Sequence, residues 1–122
     1  MTAQTEFPIV FEKLRSILKP YAKKLIVKLD TGEGFSLDGP YSEKWKKELF
    51  FGAVRIKKNY VSFYLMPVYM CPDLLKDMSP ELKKHMQGKS CFNFKRVEKS
   101  LFDELIQLTK QGFERFMKEE YS

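Results

Sequence analysis

The 122-residue chain holds two cysteines, Cys71 and Cys91, and a lone histidine, His85. These are the residues from which a thiol–imidazole nucleophile would be assembled. Such catalysis needs the thiol within hydrogen-bond reach of the ring, and a third group to orient the ring. Lys89 and Lys95 flank Cys91 and are placed to lower its pKa. A second donor set lies between residues 66 and 86: Met66, Met70, Cys71, Met78, His85 and Met86. Thioether, thiol and imidazole suit copper(I) or haem. The spacing matches no metal motif, there is no Cys-x-x-Cys, and methionine is a common core filler. No phosphate-binding Walker loop, Gly-x-Gly-x-x-Gly or His-Glu-x-x-His is present. The expectation is a protein that is not an enzyme and carries no cofactor or metal.

Anion recognition is the better-supplied chemistry. Gly88-Lys89-Ser90 brings a flexible backbone, an ammonium and a hydroxyl together beside an extended run. Within that run Asn93 and Lys95 point the same way as Cys91. With Tyr60, Tyr64 and Arg55 from neighbouring strands, this makes a phosphate or carboxylate site with an aromatic floor. The candidate ligand-binding residues are therefore Tyr60, Tyr64, Lys89, Ser90, Asn93 and Lys95. A plainer account has Gly88 ending a helix, Ser90 satisfying a local amide, and the lysines solvated. Aromatics on a sheet among basic residues also suit nucleic acid. No recognition-module signature is present, and a net charge of +6 with a pI near 9.3 is a weak field.

The elements that must position these residues follow from periodicity. Phe7, Val10, Phe11, Leu14, Ile17, Leu18 and Tyr21 make one helical stripe. Thr5 is its predicted cap, Pro8 fits the first turn, and Pro20 ends the regular helix near Lys19. Residues 24–30 alternate as a strand with Leu25, Val27 and Leu29 on one side. Thr31 to Gly34 turn, and Phe35 and Leu37 resume the alternation until Asp38-Gly39-Pro40 breaks it. Residues 41–48 read as a connection. Leu49 to Met66 carries the strongest strand signal, with a turn at Lys58-Asn59. There Val61, Phe63 and Leu65 oppose Tyr60, Ser62, Tyr64 and Met66. Residues 70–77 form a short helical turn. A further helix starts with Ser79 as cap and Pro80 at its first position, and runs to Gly88. Residues 90–95 are the last strand. The final helix opens near Ser100 with a stripe of Leu101, Leu105, Leu108, Gly112, Phe113 and Phe116, flanked by Phe102 and Met117. The predicted fold class is α+β, a two-layer sandwich with the N- and C-terminal helices on one face of an antiparallel sheet. The opposite face is predicted to be polar and aromatic, offering Tyr60, Tyr64, Arg55 and Lys57.

Tyr60-Val-Ser-Phe-Tyr-Leu-Met-Pro-Val-Tyr69, Pro80-Glu-Leu-Lys-Lys84, Gly88-Lys-Ser-Cys-Phe-Asn-Phe94 and Leu105-Ile-Gln-Leu-Thr-Lys-Gln-Gly-Phe113 resemble the YdhG-like domain family of small bacterial proteins. The resemblance spans roughly residues 7–118. It implies a frataxin-like fold and a cytoplasmic protein, and it brings an iron chaperone into view as an alternative function. A hard cation needs clustered carboxylates. The first helix offers only Glu6 and Glu12, and Asp30, Glu33 and Asp38 would have to meet near the first hairpin. The lysine-rich stretch beside them opposes a cation.

Length and composition fit one domain over residues 1–122. The apolar fraction is 43% and the charged fraction 31%, which excludes disordered and fibrous classes. No apolar run approaches the roughly 20 residues of a membrane span. The first six residues do not read as a secretory signal, and two cysteines without one fit a reducing compartment. Residues 13–28 and 83–97 each carry basic side chains and no acid. The excess of lysine and arginine over acids favours a small anion or an acidic protein as partner. Nucleic acid is a weaker expectation, and the assembly state is monomer or homodimer.

Overall fold

A computed structural model describes the backbone of residues 6–121 and the side chains of residues 6–119. Helix α1 spans Phe7–Leu18 and continues as a 3-10 turn over Lys19–Lys23. Strands follow at Ile26–Asp30 (β1), Gly34–Ser42 (β2), Lys47–Ile56 (β3) and Val61–Leu65 (β4). A short helix α2, Met66–Met70, leads through a 3-10 turn at Pro72–Leu75 to α3, Pro80–Lys83. Strands β5, Met86–Gln87, and β6, Cys91–Phe94, precede the long helix α4, Lys99–Tyr121. The six strands form one antiparallel sheet in the order β1-β2-β3-β4-β6-β5. The predicted α+β sandwich is what forms.

The terminal helices lie together on one side of the sheet. Helix α1 buries its predicted stripe from Phe7 to Leu18, packing on β3, β4 and α4. Helix α4 buries Leu101, Phe102, Leu105, Leu108 and Phe116. Helices α2 and α3 also pack on α4, so the helical elements gather on the same side. A close approach makes this possible: a Cβ at Gly52 would come within 2.9 Å of the Tyr64 carbonyl oxygen and 3.3 Å of Leu18. Phe51 joins the helical layer because it is the extra residue of a bulge. Leu37 pairs with Gly52 and Asp38 with Phe50, which leaves Phe51 outside the ladder. Its ring lies 5.8 Å from Phe113 and 5.2 Å from Phe116.

Several expectations need correction. Between Val27 and Leu29 the register shifts at Lys28, so Leu25, Val27 and Leu29 do not share a side, and Val27 is exposed. Gly39-Pro40 does not end β2. The pair falls where the ladder shifts between Asp38 and Tyr41, and there a proline removes no rung. Residues 41–48 are accordingly not a connection but the end of a long hairpin. Its tip is closed by Lys46 N–H donating to the Ser42 carbonyl, with Lys46 at φ 59°. Ser79 caps α3 by accepting from Leu82 N–H, as predicted, but the helix stops at Lys83 and Met86–Gln87 pair with β6. Gly88, at φ 79°, therefore turns the β5–β6 hairpin instead of ending a helix. Helix α4 opens one residue early: Phe102 N–H donates to the Glu98 carbonyl, so Ser100 lies inside it. The predicted cap Thr5 lies outside the described residues.

Candidate functional site

Alternation along β4 puts Val61, Phe63 and Leu65 in the core and Ser62 and Tyr64 on the other face. The same alternation in β6 buries Phe92 and Phe94 and turns Cys91 and Asn93 outward. Register then builds rows across the helix-free face. Arg55 pairs with Ser62 and Ser62 with Asn93; Ala53 pairs with Tyr64 and Tyr64 with Cys91.

The polar atoms at the centre of this face satisfy one another. Ser62 Oγ donates to Asn93 Oδ1 at 2.6 Å, and Asn93 Nδ2 donates to Gln87 Oε1 at 2.6 Å. Cys91 Sγ lies 3.4 Å from the same Asn93 oxygen. Ser90 contributes its carbonyl, which accepts from Leu65 N–H at 2.9 Å.

The six residues picked from the sequence share this region but divide between its ends. Tyr60 and Lys95 flank the Val61–Phe94 pair, beside Arg55 and Lys57. Lys57 N–H donates to the Tyr60 carbonyl at 2.8 Å, closing the β3–β4 hairpin. Tyr64, Ser90 and Lys89 sit at the other end, where Lys89 Nζ stands 6.0 Å from the centre of the Tyr69 ring. The rise from Tyr60 to Tyr64 is about 13 Å at strand spacing. Asn93 lies between the two groups. Arg55, Lys57 and Lys95 are exposed and make no ion pair among the described residues.

The nucleophile and metal sets disperse. His85 stacks on Phe94 at 4.5 Å, places Nδ1 2.8 Å from the Asn93 carbonyl and Nε2 3.3 Å from Glu98. Both ring nitrogens are thus engaged away from the thiols. Burial pushes the Cys91 thiol up; Ser62, Lys57 and Tyr64 pull against that. The predicted influence of Lys89 and Lys95 is replaced by that of Lys57. Met66 and Met70 line a groove beside α2, Met78 lines a small cavity against α4, and Met86 packs on the core. Asp30 accepts from Arg15 at 2.9 Å. Asp38 pairs with Ile26 at the far end of β1 from Asp30, so the first-hairpin acids do not converge. Among the described residues no three His, Cys, Asp or Glu side chains come together as a metal site.

Trp45, which no sequence motif marks, sits at the β2–β3 hairpin tip and meets α2 across an apolar groove. The walls of that groove come from segments well separated along the chain, and no local pattern links them. Among the described residues no helix is long and apolar enough to cross a membrane. Comparison with family models, curated proteins and solved structures finds no match.

Proposed function

We propose that the chain is a cytoplasmic, non-enzymatic YdhG-like binding domain that grips an acidic protein segment on the helix-free face of its sheet. The observation that carries this reading is the group Arg55, Lys57 and Lys95. They are three exposed cations at one end of the face, without acidic partners among the described residues, beside the ring of Tyr60. The spread of the site favours an extended partner over a small anion. A phosphate touching Lys95 does not reach Lys89 or Tyr64, about 13 Å along the sheet, whereas a run of carboxylates does. The engaged nitrogens of His85 and the raised thiol of Cys91 support a binding role over nucleophilic chemistry. The iron-chaperone alternative lacks a carboxylate cluster to rest on among the described residues.

The test is fluorescence anisotropy with a labelled oligoglutamate peptide, a single-stranded oligonucleotide and inorganic phosphate, at low and moderate salt. The expected result is peptide binding that weakens with salt. It should fall about tenfold in the Arg55→Ala, Lys57→Ala, Lys95→Ala triple variant, at about 0.5 kcal/mol for each exposed pair. No peptide binding at low salt, or unchanged binding in the triple variant, overturns the reading. Tighter binding of the oligonucleotide than the peptide replaces it with a nucleic-acid role.

A further inference from the structure

The groove beside α2 is a roomy apolar recess, with a volume of about 500 Å³. That is within the roughly 300–1,000 Å³ of small-molecule sites. Its construction is specific. The Ser42–Lys46 turn presents Trp45, whose backbone N–H donates to Ser42 Oγ at 3.2 Å. The bulged register between β2 and β3 sets Phe50 opposite Asp38. Helix α2 supplies Met66, Tyr69 and Met70 from the facing side. Trp45 and Tyr69 are each about half exposed.

The charged side chains that line the recess are two acids, Asp38 and Glu48, and one cation, Lys47. Asp38 lines the groove and its carboxylate makes no hydrogen bond or ion pair among the described residues. The cation that acts on Asp38, Lys28, is bonded to Glu48 at 2.7 Å. Burial raises the Asp38 pKa, Lys28 opposes this, and Glu48 adds to it. An aspartate already stripped of part of its water gains more from a counter-ion than an exposed lysine does. Lys47 also lines the groove, but it is exposed and remains solvated. The rings themselves attract ammonium groups. Lys44 Nζ lies 5.6 Å from the Trp45 ring centre, and Lys89 Nζ lies 6.0 Å from that of Tyr69. The net charge of +6 acts weakly on the recess. Exposed charges beyond about 8 Å are screened at physiological salt.

We propose that this groove binds an organic cation, an ammonium group carrying an aromatic or bulky apolar body. The body lies between Trp45 and Tyr69 over Phe50, Met66 and Met70, and the charge faces Asp38. The proposal is distinct from the acidic-partner reading, which is carried by Arg55, Lys57 and Lys95; the two meet at Lys89, which stands over Tyr69.

Trp45 is the sole tryptophan, so its fluorescence reports on the groove directly. The experiment titrates the full chain with benzyltrimethylammonium, neutral benzyl alcohol and anionic phenylacetate. Saturable change with the ammonium, at lower concentration than with either comparator, is expected. Asp38→Asn should weaken the ammonium about tenfold and leave benzyl alcohol unaffected, and Tyr69→Ala should weaken it by a similar factor. Circular dichroism checks that both variants fold. The proposal is overturned if phenylacetate binds as tightly as the ammonium, if no ligand saturates, or if folded Asp38→Asn and Tyr69→Ala proteins both bind the ammonium like the parent.

Discussion

Glu104 of α4 accepts from both the backbone amide and the hydroxyl of Ser79, each at 2.7 Å. The same hydroxyl oxygen accepts from Leu82 N–H at 3.1 Å, so one carboxylate holds the cap of α3 against the long helix. Glu104→Ala removes a charged acceptor from two partly buried donors. Urea denaturation should show a loss of about 2 kcal/mol, with a smaller loss for Glu104→Gln, which retains one acceptor oxygen.

Two aspartates set opposite pH dependences. The Arg115 guanidinium, at 2.8 and 3.3 Å, holds the Asp73 carboxyl below the usual aspartate range. The unfolded chain then takes up its proton first on acidification. The stability Asp73 contributes is present above its unfolded pKa and is lost as pH falls through the depressed folded value. Asp38 is raised chiefly by burial. Its folded form keeps a proton that the unfolded chain has released, so stability falls as pH rises through the interval just above the usual aspartate value. Thermal melts from acid to neutral pH should show Asp73→Asn losing the first slope and Asp38→Asn losing the second.

The Cys91 thiol, raised by burial, stays protonated at neutral pH. In a Cys71→Ser background, its alkylation by iodoacetamide should be slower than that of free cysteine. The rate should still be climbing at a pH where the free thiol has levelled off, because the thiolate is the reacting form.

Thr109 Oγ1 is buried on α4 with no hydrogen-bond partner among the described residues. Thr109→Val keeps the shape and removes the unpaired hydroxyl. The expected gain is about 1 kcal/mol by denaturant titration; a loss would mean that the hydroxyl has a partner in solution.

Much of the architecture is legible in the sequence because local pattern and tertiary demand agree. The spacing of Phe7 to Leu18 and of Leu101 to Phe116 marks the faces that the sheet covers. The alternation of Val61, Phe63 and Leu65 marks the core side of β4. What escapes such reading depends on pairing between distant residues. Gly39-Pro40 looks like a break until a bulge absorbs it, and Phe51 has the wrong parity until the neighbouring strand sets its register. Met86–Gln87 reads as helix until β6 captures it. Alternation places Tyr60, Tyr64, Asn93 and Lys95 on one face, but their separation follows from the length of β4, and the β5–β6 turn carries Lys89 and Ser90. The groove escapes for a related reason: Trp45 and Tyr69 belong to elements that meet only in the folded chain.

Helix α4 supplies the aromatic cover for Phe51 and Phe94, through Phe113, Phe116 and Phe102. During translation that cover follows every strand out of the ribosome. A nascent chain that has emerged only as far as β6 has all its strands available, with α1 over β3 and β4 but the α4 half of the apolar face uncovered. The core therefore closes only once α4 has cleared the exit tunnel, and until then the uncovered apolar surface is prone to aggregate.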